Sequence, residues 1–140
     1  MAYYECAYKD DHISIDDNFI VTLSGSHNQI TTATVCYIDK TTVCLLGDIN
    51  LGETTYIAAS NYIWNYIIDI NNKEYTGTCK IPTVVQIYSK CAGYKRNFAY
   101  WTSTVSDSSV PWFVSSDGYV GLHGGPSIPY GTVPFIEITL

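Results

Sequence analysis

Aromatic side chains next to polar loops carry most of the chemical promise of this chain, which holds thirteen tyrosines, three tryptophans and three histidines. Trp101 precedes the run TSTVSDSS, and Trp112 follows it directly after Pro111. A ring at a loop edge can stack on the apolar face of a sugar while neighbouring Asp, Ser and Asn groups bond its hydroxyls. Trp101, Trp112 and the loop residue Asp107 are therefore candidates for a carbohydrate site. Trp64 lies mid-strand and reads as core. The stretch KCAGYKRNFAYW places Lys90, Lys95 and Arg96 beside Tyr94, Phe98 and Tyr100. Interleaved cations and rings can hold single-stranded nucleic acid. They can also present Arg96 to a carboxylate or an anionic sugar, with Tyr94 beside it. The plainer reading makes Phe98 and Tyr100 core and leaves the cations on the surface. His123, set among glycines in GLHGG, suits a contact with a ligand or a sister chain better than the role of a base.

Signatures of enzymes are missing. The histidines are scattered without H-x-H or H-x-x-x-H spacing, so no metal centre is expected. No G-x-S-x-G elbow, phosphate loop or dinucleotide fingerprint occurs. Asp107, Asp117 and Glu137 could supply a carboxylate pair for glycoside hydrolysis, but their spacing alone predicts nothing. The expectation is a non-enzymatic protein with no cofactor. Asp10, Asp11, Asp16 and Asp17 crowd one short stretch, where oxygen ligands could hold Ca²⁺. The stretch lacks the order of an EF-hand loop, and a solvated acidic edge that resists edge-to-edge pairing is the simpler reading.

Cysteines stand at positions 6, 36, 44, 79 and 91. An odd count without C-x-x-C spacing reads as small apolar core residues. Cys36 and Cys44 lie symmetrically about Lys40. A hairpin with a loop at 39–41 would set them face to face, where a disulfide could form in an oxidising setting.

At 140 residues the chain is expected to be a single domain, residues 1–140, with a core of its own. Charged residues make up only 14%, and the net charge is −6. That balance argues against tracking nucleic-acid phosphates and against anionic membrane surfaces. A polar, weakly charged, Tyr-rich surface suits neutral sugars or packing against copies of the chain. No apolar run approaches the length of a membrane span. The start, MAYYECAYKDD, has neither a basic segment nor an apolar one, so no secretion signal is expected and a virion component or a cytoplasmic protein is.

Short runs of β-branched and aromatic residues, punctuated by Gly, Asn, Asp and Pro, predict an all-β fold of about eight to ten strands, a single antiparallel β-sandwich of jelly-roll type. NYIWNYIIDI places Tyr62, Trp64, Tyr66, Ile68 and Ile70 on one face. Asn71-Asn72 predicts a tight turn into KEYTGTC, and Asp117-Gly118 another between PWFVSS and GYVGLHG. LGETTYIAAS and TVVQIYSKC also read as strands. No stretch shows sustained helical periodicity with caps. Pro134 predicts an edge position for VPFIEITL.

The cadence FVSSDGYVGLHGGPSIPYGTVPFIEITL resembles the closing strands of receptor-binding head domains in bacteriophage tail and head fibres. IPT and AGYKRN extend the likeness over residues 82 to 140. The resemblance implies a compact β-sandwich, a homotrimer, and a bacterial surface polysaccharide as partner. The expectation is thus a lectin-like recognition domain, with an intracellular defence lectin as a second setting. A capsid or particle component that binds no small ligand is the alternative.

Overall fold

The computed structural model describes residues 13–91, 95–106, 110–122 and 128–140. Three antiparallel hairpin strands begin it: β1 (Asn18–Gly25), β2 (Gln29–Ile38) and β3 (Thr42–Gly47). The turn from β2 to β3 is held by Asp39, whose Oδ1 accepts from the backbone N–H of Thr41 and of Thr42, each at 2.9 Å. A short helix, α1 (Tyr56–Ser60), is capped by Thr55, whose Oγ1 accepts from the Ala58 amide. The second hairpin, β4 (Trp64–Ile70) and β5 (Lys73–Cys79), then returns to the free edge of β1. Asn71 and Asn72 both take positive φ, at 52° and 71°, as the tight turn requires.

The large sheet runs β5-β4-β1-β2-β3-β9, with β9 at Phe135–Thr139. The local order β4-β1-β2-β3 is a Greek key. β9 is an edge strand, as Pro134 foretold. A bridge between Lys80, just past β5, and Phe135 brings the two edges together and nearly closes the sheet into a barrel. Its interior is filled by Val21, Leu23, Val35, Val43, Leu45, Trp64, Tyr66, Ile68, Ile136 and Ile138. The all-β, antiparallel expectation holds.

A smaller sheet, β6 (Tyr100–Val105), β7 (Pro111–Val114) and β8 (Val120–Leu122), forms a second layer with helix α2 (Val84–Lys90). Together they roof the outer face of β3, where Cys44 and Leu46 pack with Cys36, Ile87, Cys91, Tyr100, Val114, Val133 and Phe135. Two buried faces explain why β3 reads as the unbroken apolar run VCLL. β4 has only its inner face covered, and it alternates strictly between buried and exposed. Residues 128–134 sew the layers together. Gly131 donates to Ala99 O and its own carbonyl accepts from Trp101 N–H, while Leu51 N–H donates to Thr132 O. A Cβ at Gly131 would come within 2.7 Å of the Asn50 side chain and would have to displace the amide whose oxygen accepts from the Gly52 and Thr132 N–H groups.

Two expected strands are helices. LGETTYIAAS contains α1, and TVVQIYSKC contains α2. The second has a capping box: Gln86 N–H donates to Thr83 Oγ1, and Thr83 N–H donates to Gln86 Oε1. Thr-x-x-Gln directly after Pro82 is a helix-start signature, here masked by the strand-like residues Val84, Val85, Ile87 and Tyr88. Among the described residues, no helix is long and apolar enough to cross a membrane.

Candidate ligand-binding site

Of the residues singled out in the sequence as ligand contacts, the three that the structure describes, Trp101, Trp112 and Arg96, do not converge on one site. Trp101 is 0% exposed. Its ring meets Tyr130 edge-on with centroids 4.8 Å apart, and its indole N–H donates to Thr54 O at 2.7 Å. That corrects its assignment as a sugar platform, because neither ring face is open. Arg96 is corrected likewise. Every guanidinium nitrogen already donates within the chain: Nε to Gly47 O, one terminal nitrogen to Lys95 O, the other to Leu46 O and Asp48. Asp48 in turn accepts from Asn18, Thr32 and Thr34. Arg96 is thereby a clamp that ties residues 95–96 to the β3 terminus. Trp112 is half-buried on β7, where alternation sets it opposite the face on which Phe113 stacks against Tyr130. Tyr94, Asp107 and His123 lie outside the described residues, as do Asp10 and Asp11 of the acidic stretch.

The expected Cys36–Cys44 pairing is also corrected. A β-bulge between Val35 and Tyr37 shifts the register, so Cys44 pairs with Tyr37. Cys36 is left without a ladder partner, and its sulfur lies against the Cys44 carbonyl and the Cys91 sulfur instead. Burial, with the nearby Glu137 carboxylate, pushes the Cys44 thiol up to about 12. Burial alone pushes Cys79 up to about 12. Both are inert core thiols at neutral pH. Among the described residues, no group of three His, Cys, Asp or Glu side chains gathers as a metal site.

What the fold does assemble is a cleft of about 260 Å³ between α2 and the β7–β8 turn. Ile87, Val120 and Gly118 form part of its wall, with Tyr88, Tyr119, Lys95 and Asp117 around it. Its position follows from local chemistry. Gly118 takes φ 88°, so its N–H donates to Ser115 O at 2.9 Å, while Ser115 N–H donates to Tyr119 O at 2.8 Å. This tight five-residue turn holds Asp117 and Tyr119 up beside the last turn of α2. Tyr88 is 63% exposed and Tyr119 76%, the latter more than any other large apolar or aromatic side chain described. Two solvent-facing rings, a carboxylate, an ammonium group and an apolar wall are the parts needed to hold a polar ring with an apolar face.

A larger cleft, about 430 Å³, lies at the barrel seam between β5, β9 and the start of α2. It is lined by Thr78, Lys80, Gln86, Ser103 and Glu137 among others, with Phe135 its one aromatic. Phe135 is buried, and Gln86 is committed to the capping box. The seam therefore has polar groups but no ring free to stack.

Asp117-Gly118 was legible as a turn. Tyr88 and Tyr119 were not, because nothing in the sequence sets them apart from the other tyrosines. The capping box, by committing residues 84–90 to a helix, was the signal that would have moved Tyr88 from a strand face to the rim of this cleft. Compared with known proteins, the chain matches no family model, no curated protein and no solved structure.

Proposed function

We propose that this protein is a non-enzymatic carbohydrate-binding domain and that it holds its ligand in the cleft between α2 and the β7–β8 turn. The observation that carries this reading is the pair of exposed rings, Tyr88 and Tyr119, flanking an apolar recess with Asp117 and Lys95 beside it. A pyranose ring would stack on the tyrosines, Asp117 would accept from its hydroxyls, and Lys95 would donate to a hydroxyl or a sugar carboxylate. The resemblance of the closing strands to fibre heads makes a bacterial surface polysaccharide the preferred ligand class and a homotrimer the preferred assembly. A glycan array tests the reading. Hits are expected with the wild type, weakened about tenfold or more by Tyr119→Ala or Tyr88→Ala in a protein whose thermal unfolding is unchanged, a loss of about 1.4 kcal/mol. Silence across bacterial and eukaryotic glycans, or hits that neither change weakens, overturns it.

The particle-component reading draws on a different observation. Ile67 of β4 and Ile30 of β2 flank Thr22 of β1 on the bare face of the sheet, with Ile20 nearby, and all three isoleucines are exposed. Uncharged apolar sheet faces suit burial against neighbours. Light scattering separates the two: an obligate assembly broken by Ile67→Glu, with no glycan bound, favours the structural role.

A further inference from the structure

The bulge that spoils the Cys36–Cys44 pairing brings Cys36 to a different partner. Its sulfur lies 3.1 Å from that of Cys91, the residue that ends α2. The two are 55 positions apart in the chain, and both are buried, at 8% and 2% exposure. We propose that Cys36 and Cys91 are a disulfide-forming pair, a modification site that bolts the C-terminal end of α2 to the bulge in β2. A disulfide bond is ~2.05 Å long, so closing this pair asks for about 1 Å of movement.

The surroundings favour this pair over every other among the four described cysteines. Ile87, one turn earlier, packs in the same core, and the Lys90 ammonium sits 3.7 Å from the centroid of the Tyr37 ring. The end of α2 is thus held by three contacts that keep Cys91 against Cys36. Cys44 shares the core but lies on the Glu137 side, with its sulfur 4.0 Å from that carboxylate. Cys79 lies inside the barrel. The close Cys91 thiol and burial together hold the Cys36 thiol strongly protonated, so exchange speeds up as the solution becomes more alkaline.

The oxidant is a low-molecular-weight disulfide. When the C-terminal end of α2 opens locally, one thiol of the pair reaches solvent, loses its proton and attacks one sulfur of that molecule, forming a mixed disulfide and releasing one small thiol. As the helix end closes, the other sulfur loses its proton, attacks the first and expels the second small thiol. Two protein thiols are oxidised and one external disulfide is reduced. The inference does not depend on the carbohydrate reading.

Incubating the full chain with oxidised glutathione at mildly alkaline pH, then blocking free thiols and mapping the peptides without reduction, tests it directly. A linked peptide joining Cys36 to Cys91 is expected. The melting temperature should rise by about 5 to 10 °C relative to the reduced protein, since the cross-link closes a long loop. Amide exchange across residues 84–91 should slow. Cys91→Ser should abolish all three changes. If that variant does not fold, the wild-type peptide map decides alone. Recovery of Cys36 and Cys91 as blocked free thiols, or of Cys36 joined to Cys44, Cys79 or Cys6, overturns the proposal.

Discussion

The two flanks of the barrel differ although they belong to one sheet. On the β5-β4-β1 flank the outer face meets solvent, and Ile20, Ile63 and Ile67 stand exposed among Thr, Asn and Ser. Around β3, together with Cys36 at the far end of β2 and Phe135 at the start of β9, the outer face is roofed by α2 and the small sheet, and a second core is sealed beneath them. Among the described residues, most groups with chemical character lie on the roofed side: Cys36 with Cys91, the Arg96–Asp48 clamp, the buried Tyr100 hydroxyl, which has no hydrogen-bond partner among those residues, and the Tyr88–Tyr119 cleft. A sheet alone supplies a scaffold. Crevices, and hence a site, arise where a second layer meets it.

The largest effect should come from the joint between the layers. Trp101→Ala removes a fully buried indole and leaves the Thr54 carbonyl without its donor, so a loss of about 3–5 kcal/mol is expected in urea unfolding. A loss under 1 kcal/mol would mean that Trp101 is not the keystone of that joint. Arg96→Ala should cost about 2–3 kcal/mol, because the Leu46 and Gly47 carbonyls and Asp48 lose charge-assisted donors at once. Arg96→Lys should recover little of it, since an ammonium group cannot span three acceptors in a fixed fork. Full recovery would reduce the clamp to a simple charge pair.

Alkaline titration probes both cores together. The Cys44 and Cys79 thiols are raised in the folded state from 9.0 to about 12. Above pH 9 the unfolded chain releases these protons while the folded chain keeps them, so the unfolded state binds fewer and stability falls. The contribution is complete below pH 9 and is lost progressively as pH climbs towards 12, by up to about 1.4 kcal/mol per pH unit for each thiol. Cys79→Ala should flatten that slope even though it opens a small cavity. An unchanged slope would show that Cys79 ionises while folded. The smallest effect belongs to the bare flank, where Ile67→Thr should shift stability by no more than about 0.5 kcal/mol. A loss comparable to that of Trp101→Ala would mean that this face is covered in solution.

The bare flank is also the part that the sequence made legible. NYIWNYIIDI alternates because water lies on one side of it, and the Asn71-Asn72 turn follows from the tolerance of asparagine for positive φ. The roofed flank obscured its own pattern. Burial on both faces erased the alternation of β3. In α2, β-branched and aromatic residues needed for packing outweighed the Thr83–Gln86 capping box. The bulge in β2 moved the hairpin register by one residue, which no symmetry about Lys40 could disclose. Trp101 sits at a loop edge in sequence, yet the carbonyl that accepts from its indole N–H belongs to Thr54, far away along the chain. The rim of the cleft depends on α2 lying beside the β7–β8 turn, and that contact is tertiary. Only its Asp117-Gly118 corner was written locally.

The proposed sugar binding falls between α2 and the β7–β8 turn. It is tested most directly by titrating the labelled protein with the strongest array glycan and following backbone amide resonances. Saturable shifts should centre on Tyr88, Lys95, Asp117, Tyr119 and Val120 and vanish in Tyr119→Ala. Shifts centred on the seam residues Thr78, Lys80 and Glu137, on the bare face around Ile67, or nowhere at saturating sugar would contradict it.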